Sequence, residues 1–392
     1  MANMIDMTLC LKWPELGAIR TAPDEKTQLT AFIERVYREP YAERYRNFDK
    51  RLYPTELPIS LCFLYNERKQ VTDIILLLNK ARGKEFEGGG QRRPKLAYEL
   101  MRGRFCVKKT RTREEEGPIV NYLLQQSEDY LVNIIGKREI HGKHQYFETA
   151  YDCTLHHWIG TPRLQWYHNK LLVVWKLLVG LRNFQRMQVA AHRNFHNDLK
   201  LSNILVNGAN ELSITDFGLS NVIEKLCYSP YYCHPIKLSM RYWDNQEMTA
   251  YLMKLGAKLD MWSLGIVFVV VLTNRFGPQE LPPLAFLTDI FSKKKHVVEA
   301  VTQDRIKTEL LSLKKATESM YQGQILNPLW DIVIDMLQLN AENILSVEDA
   351  LVRVNHLMKS STKALGPCLE AAERCDALGK EMKELMERVR RY

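Results

Sequence analysis

The stretch His196–Gly218, HNDLKLSNILVNGANELSITDFG, decides how the rest of the chain is read. Asp198 is followed two residues later by Lys200 and five residues later by Asn203. Asp216 stands thirteen residues after that asparagine, with Phe217 and Gly218 behind it. Between them Ile204, Leu205 and Val206 form an apolar run, Asn207-Gly208 is a turn signal, and Leu212 to Ile214 resumes the apolar character. The pattern predicts a hairpin whose two ends bring Asp198, Asn203 and Asp216 into one small region. An amide oxygen and a carboxylate beside a further carboxylate suit Mg2+, which prefers hard oxygen ligands and usually keeps phosphates and waters in its shell.

The spacing resembles the catalytic loop and metal-binding triplet of eukaryotic-type protein kinases, H-R-D-L-x-x-x-N followed by D-F-G. His196, Asp198, Leu199, Asn203, Asp216, Phe217 and Gly218 fill that pattern, and Asn197 stands where the family has arginine. The resemblance is therefore to a divergent member of the non-RD type, one without the arginine beside the catalytic aspartate. It implies that Asp198 accepts the proton of the substrate hydroxyl, while Asn203 and Asp216 hold the Mg2+ ions that bridge the phosphates of ATP. Lys200 would neutralise the transferring phosphoryl group, and a lysine there resembles the serine/threonine rather than the tyrosine branch. His196, Phe217 and Gly218 would have structural roles. A solvated hairpin with scattered acids has no need of matches at fixed spacing.

At 392 residues the chain exceeds a single compact core, so two or three structural units are expected. Hydrophobic content of 46% and charged content of 26% describe an ordinary globular protein. The formal charge of +9 is spread over Arg92-Arg93, Lys108 to Arg113, Lys293 to Lys295 and the C-terminus. That distribution reads as solvated faces plus a phosphate site, with no nucleic acid expected. Eight cysteines are scattered without a C-x-x-C pair, which indicates free thiols in a reducing compartment. The N-terminus lacks a basic region followed by a long apolar run, so it does not read as a secretory signal. The longest apolar run, Leu264 to Leu272, is far short of the roughly 20 residues of a membrane span. The expectation is a soluble protein working inside a cell, and delivery into a foreign cell would fit its divergent extensions.

Residues 1–78 read as an extension packed on a small lobe. Leu29, Phe32, Ile33, Val36 and Tyr37 recur at helical spacing. Ile59 to Tyr65 and Val71 to Leu78 are apolar runs that periodicity leaves open between strand and buried helix. From residue 79 the kinase pattern is traceable, with the small lobe and hinge over 79–155. Phe105, Cys106, Val107 and Lys108 resemble the third strand of that lobe, with Lys108 gripping the α- and β-phosphates. Lys109 is the competing candidate, and alternation from Val107 favours Lys108. The Gly-rich loop falls on EGGGQRRP, residues 87 to 94, and keeps only Gly89 of the family's glycines, which let backbone N–H groups approach phosphates. The glutamate partner of the lysine is placed at Glu116, about one turn before the position the family gives it and just before a helix near Pro118. Tyr130 to Ile135 reads as a strand and Glu139 to Tyr151 as a hairpin ending at the hinge. By position Thr149 would guard the back of the adenine pocket, Ala150 and Tyr151 would offer backbone hydrogen bonds, and Leu205 would form its floor.

The large lobe is expected over 156–360, beginning with a long helix at about Asn169 to Arg186. An activation loop should run from Asp216 to Gln246, with Ser239, three before Tyr242, steadying the catalytic aspartate. The family's closing A-P-E is replaced by Asp244-Asn245-Gln246, and Ile344 stands where its buried arginine partner belongs. Loss of one partner alone would cost roughly 3–5 kcal/mol, whereas loss of both can be near neutral. Lys258 to Gly265 followed by IVFVVVLT resembles the central helix of the large lobe, apolar on every side because it is buried. Asp260 on it would accept hydrogen bonds from the catalytic-loop backbone near His196. In residues 361–392, Ala371, Cys375, Leu378, Met382, Leu385 and Val389 form an amphipathic helix that docks on the kinase domain or on a partner.

The expectation is thus an α+β, bilobal protein-kinase-like fold: a small β-rich N-lobe, a larger helical C-lobe, and helical extensions at both ends. Its function would be serine/threonine protein kinase, with ATP and Mg2+ as cofactors and a protein substrate. A regulatory partner would act through the N-terminal extension or the C-terminal helix, and no membrane span is expected. A pseudokinase scaffold is the first rival, suggested by the degenerate loop and missing triplet but opposed by Lys108, Asp198, Asn203 and Asp216. A small-molecule phosphotransferase is the second, and Lys200 and the Asp260 helix oppose it.

Overall fold

Among the described residues strands predominate up to Thr154 and helices after it. The computed structural model describes residues 60–65, 71–77, 95–99, 104–111, 117–140, 143–159, 167–190, 192–207, 211–223, 228–275, 282–292, 302–320 and 326–360. The helices expected around 29–37 and 371–389 lie outside them.

Six strands form one sheet: β1 Ser60–Tyr65, β2 Val71–Leu77, β3 Lys95–Glu99, β4 Arg104–Arg111, β5 Ile134–Ile140 and β6 Lys143–Thr149. Their spatial order is β1-β2-β3-β4-β6-β5, with every neighbouring pair antiparallel. The two early apolar runs are therefore strands, and the sheet begins before residue 79. Helix α1, Gly117–Gln125, links β4 to β5; Pro118 sits in its first turn, where a missing N–H costs nothing. Ile119, Val120 and Leu123 give it one buried face, which lies against β5.

The strand expected at Tyr130 to Ile135 starts later, at Ile134. Its first residues serve another purpose. Val132 N–H donates to the Ile214 carbonyl at 2.9 Å and Ile214 N–H donates to the Tyr130 carbonyl at 2.9 Å, which ties this segment to the candidate site. Helix α2, Tyr167–Arg186, passes directly beneath: a Cβ at Gly180 would lie 2.8 Å from the Tyr130 carbonyl, so only glycine admits this approach.

A second, three-stranded sheet is made of β7 Cys153–Thr154, β8 Ile204–Val206 and β9 Leu212–Ile214, in that order. The large lobe is built on helix α3, Asn245–Thr273, with α4 Ala285–Ser292, α5 Gln303–Met320, α6 Asn327–Met336 and a helix over 347–360 around it. Length and composition would allow α3 to cross a membrane, but 89% of its apolar window is buried inside the protein, which makes it a core helix. Asp244 caps α3 by accepting the Glu247 N–H at 2.7 Å, so Asp244-Asn245-Gln246 starts this helix. Gln246 is exposed, and Ile344 is 1% exposed within the core. No charge is buried there without a partner. Cys106, Cys153 and Cys233 are free thiols.

Candidate active site

The β8–β9 hairpin brings the two ends of the decisive stretch together. Thr215 N–H donates to the Asn203 carbonyl at 3.0 Å, and Asn203 N–H donates to the Lys200 carbonyl at 3.0 Å. His196 is buried and locks the loop from inside: its Nδ1 accepts the Asp198 N–H at 3.3 Å, so Nε2 carries the proton and donates to the Thr215 carbonyl at 2.9 Å. Asp260 on α3 accepts the His196 N–H at 2.5 Å and the Asn197 N–H at 2.9 Å. Burial pushes its carboxyl above the usual carboxylate range, opposed by the neighbouring His196, by the Lys237 charge and by those two N–H groups. A Cβ at Gly256, one turn earlier on α3, would meet the Phe195 ring at 2.6 Å, so glycine lets the helix reach under the loop. Phe217 stacks on Phe184 at 5.3 Å and tilts against His196 at 5.5 Å, filling the space behind Asp216. Asn197 (φ 69) and Asp216 (φ 66) both adopt the left-handed region, which an asparagine or aspartate tolerates better than most residues.

Three side chains converge on Asp198, which is 7% exposed. Lys200 Nζ donates to its Oδ2 at 2.7 Å, and Asn203 Nδ2 donates to Oδ2 at 3.0 Å and to the Asp198 carbonyl at 2.9 Å. Ser229 Oγ donates to Oδ1 at 2.5 Å and accepts from Lys200 Nζ at 2.8 Å. Ser229 thus does what sequence counting assigned to Ser239, whose hydroxyl instead donates to the Ile236 carbonyl at 2.7 Å. The serine that meets Asp198 stands ten positions upstream of the one counted from Tyr242, because the path of the intervening loop sets the contact.

Asn203 commits its amide nitrogen to Asp198, which leaves the amide oxygen as its metal-facing donor. Thr215, bonded to the Asn203 carbonyl, precedes Asp216, and an amide oxygen with a carboxylate is an all-oxygen donor pair that would fit Mg2+, with its few protein ligands and its shell of phosphates and waters. Among the described residues no group of three or more His, Cys, Asp or Glu side chains forms an alternative metal site.

The lysine comes from the six-stranded sheet, and here the structure corrects the sequence. In the β4–β6 ladder Val107 faces Glu148 and Lys109 faces Tyr146, while Cys106 faces Thr149 and Lys108 faces Phe147. Opposed residues share a side of the sheet. Lys109, not Lys108, is turned to the hairpin: its Nζ lies 2.8 Å from Glu148 Oε1 and donates to Thr215 Oγ1 at 2.9 Å. Thr215 Oγ1 donates in turn to Glu148 Oε2 at 3.2 Å. Lys108 is on the opposite side with Cys106 and Phe147, which join Ile75 and Ala97 in a separate small core. Thr149 shares that opposite side, and its Oγ1 accepts from Asn133 Nδ2 at 3.3 Å, so it does not stand beside Lys109. The Tyr151 hydroxyl lies 2.6 Å from Ser213 Oγ on β9, and Leu205 is half-buried on β8 between Thr154 and Ser213. Gly89 and Glu116 lie outside the described residues, and α1 itself carries no acidic residue.

Sequence reasoning missed two further residues. Glu148 has just been placed. Lys237, 3% exposed, donates to Asn197 Oδ1 from the segment that follows the hairpin, while Asn197 Nδ2 donates to the Val222 carbonyl at 3.4 Å. A lone lysine in a four-residue helix and a lone glutamate in a strand give no sequence signal of burial, so neither could be picked out by pattern.

Residues 172–353 match the family model described as the protein kinase domain. Over 91 residues the chain is 35% identical to a protein kinase domain-containing protein of Schizosaccharomyces pombe, a match covering 22% of this chain and 15% of that protein. Over 89 residues it is 36% identical to CBL-interacting serine/threonine-protein kinase 1 of Arabidopsis thaliana, covering 20% of this chain and 18% of the relative. A longer match, 25% identical over 163 residues, is to the mitogen-activated protein kinase HOG1 of Wallemia muriae, with 40% of this chain and 56% of that kinase covered. The chain thus spans less than a fifth of the length of the first two relatives.

Proposed function

Residues 172–353 are a protein kinase domain of the eukaryotic type, and from that premise we propose that the chain is a serine/threonine kinase moving the γ-phosphoryl group of ATP to a protein hydroxyl. The observation that carries this reading is Asp198 held by Lys200, Asn203 and Ser229 at the mouth of the hairpin that ends in Asp216. Asp198 would accept the proton of the incoming hydroxyl as its oxygen bonds to the γ-phosphorus and the bridging bond to ADP breaks. Lys200, 2.7 Å from Asp198, would set its ammonium against the charge on the transferring group. Ser229 ties that aspartate and lysine to one another, so both are positioned before substrate arrives. Lys109 would place its charge on the phosphates beside Asp216. A divalent cation held by the Asn203 amide oxygen and the Asp216 carboxylate would supply charge neutralisation at those phosphates.

Lys200 favours serine and threonine as acceptors, in keeping with the names of the plant relatives. Those names also specify a binding partner for the relatives themselves. For this chain we place a regulatory partner at the terminal segments 1–59 or 361–392. The test is phosphoryl transfer from γ-labelled ATP to a mixed serine, threonine and tyrosine peptide library, with Asp198→Ala beside the wild type. Label on serine or threonine that vanishes in the variant is expected. No label, or label on tyrosine alone, would overturn the reading and favour a scaffold.

A further inference from the structure

We infer that Glu148 is the positioning residue for the phosphate-side lysine, and that the anchor of this lysine is built into the sheet and not into the helix beside it. The inference rests on the kinase reading above and goes further into the same site. In the family the lysine is oriented by a glutamate on the helix that follows its strand. Here that helix is α1, GPIVNYLLQ, which holds no acidic residue. Glu148 lies on β6, the hydrogen-bonded neighbour of the lysine strand, and is 3% exposed. A carboxylate that deeply buried requires a cation or hydrogen-bond donors, and it has both: Lys109 at 2.8 Å on Oε1 and the Thr215 hydroxyl at 3.2 Å on Oε2.

The geometry closes on itself. Lys109 also donates to Thr215 Oγ1 at 2.9 Å, so ammonium, carboxylate and hydroxyl form a ring of three contacts. An ammonium has three donor protons. Two are used by Glu148 and Thr215, which leaves one for a phosphate oxygen. Thr215 immediately precedes Asp216, so the ring fixes the lysine relative to the carboxylate proposed to hold the metal ion. Two strands paired in one sheet move together, whereas a helix joined through loops can swing away. The lysine of this chain should therefore be oriented whether or not α1 is seated, and a partner that moves α1 would not control the phosphate grip.

The test is Glu148→Gln, which keeps shape and an acceptor for Thr215 but removes the charge facing Lys109. The expected result is a rise of about tenfold in KM for ATP with kcat within about threefold, because the lysine acts on nucleotide binding. A merely structural role would lower the yield of active protein and leave KM for ATP unchanged. Binding of a fluorescent ATP analogue with Mg2+ is measured in parallel. If the wild type binds nucleotide and Glu148→Gln weakens it, the inference stands even where no phosphoryl transfer is found and the kinase reading fails. If Glu148→Gln does not fold, Thr215→Val carries the test, since it opens the ring at nearly constant volume; a KM for ATP a few-fold higher supports the ring. An unchanged KM in the variant that folds overturns the inference. So does a rise caused by Glu116→Gln and absent in Glu148→Gln.

Discussion

The β8–β9 hairpin and the β4–β6 pair each deliver charge to the same site, and they reach it by different routes. Around the hairpin the decisive contacts are local: Asn203 to Asp198, His196 to Thr215, Asp198 to His196. Each joins residues of one continuous stretch, so their spacing alone nearly dictates their geometry. In the β4–β6 pair the contact between Lys109 and Glu148 depends on how two strands separated by a helix and a third strand slide into register. Because side chains alternate with period two, a slip of one residue in β4 would exchange Lys109 for Lys108, and one in β6 would turn Glu148 to the other face. The family match follows the same division, since residues 172–353 contain the hairpin and none of the six-stranded sheet. A site can therefore keep one half by spacing and rebuild the other half with new residues.

The largest effect should fall on the hairpin. Asp198→Ala is expected to lower phosphoryl transfer by about a thousandfold or more, the scale of losing a positioned general base with its partners. Asp216→Ala should do the same and also weaken Mg2+-ATP binding, read by nucleotide titration with and without the metal. Near-normal initial rates in either purified variant would break the hairpin's half of the comparison. The strand pair comes next. Lys109→Ala should cost about a hundredfold in kcat/KM, as for removal of one preorganised electrostatic contact, and Lys108→Ala only a few-fold. The reverse ranking would mean that the strand stands one residue away from the register described here.

These two regions also mark what was legible in the chain. The hairpin, α2 and the buried helix around Asp260 were readable because each rests on a short spacing or on one uninterrupted apolar run. Alternation favours Lys108 over Lys109 only if Val107 points away from the site; in the sheet Val107 and Lys109 share the face turned to the hairpin. Glu148 is not legible, because a glutamate next to the hinge has no pattern of its own and its burial is a product of the fold. Ser229 meets Asp198 across 31 residues of chain, a contact that no local spacing encodes. Periodicity does not separate β1 and β2 from buried helix, because short apolar runs suit either.

A third prediction probes the segment after the hairpin, which is held by distant contacts as the strand pair is. His234 is buried edge-on against Trp262 at 4.6 Å; its Nδ1 accepts the Ile236 N–H at 3.1 Å, and its Nε2 donates to the Gln338 carbonyl at 3.1 Å. Burial holds its pKa down at about 4, with Lys237 pressing the same way and the carbonyls of Gln338 and Leu339 opposing. The unfolded chain, near 6.5, takes up the proton first, so this contribution is complete above about pH 6.5 and is lost as pH falls toward 4. The slope is about 1.4 kcal/mol per pH unit, or tenfold in the folding equilibrium. Asp260, raised by burial, contributes in the opposite direction but is present in both proteins compared. Melting temperature from pH 7 to pH 5 should therefore fall less in His234→Gln than in wild type. Parallel curves would show that His234 is not what ties this segment to the α6 end of the lobe.

The smallest expected effect is the absence of one, and it separates the two halves of the site most finely. In kinases with arginine beside the catalytic aspartate, that arginine makes a charge-assisted contact to a phosphorylated activation loop and orders it. Here the polarity is inverted: the cation, Lys237, sits on the loop and donates to Asn197 Oδ1 on the catalytic side. The contact is complete without a phosphate, and an amide offers no guanidinium fork to receive one. Phosphorylation of Ser229 would set new negative charge against Asp198, whose Oδ1 is 2.5 Å from the hydroxyl, and would oppose catalysis. Phosphatase-treated protein and protein preincubated with ATP should therefore phosphorylate a serine/threonine substrate at rates within about twofold of one another. In Lys237→Met the loop loses its internal cation, and the rate should drop with no recovery on preincubation. A rise of about a hundredfold on preincubation, mapped to a site between 219 and 246, would show the loop waiting for a charge that Lys237 does not supply. The contact between Asn197 and Lys237 would then belong to a resting state, and the hairpin would depend on long-range ordering as much as the strand pair does.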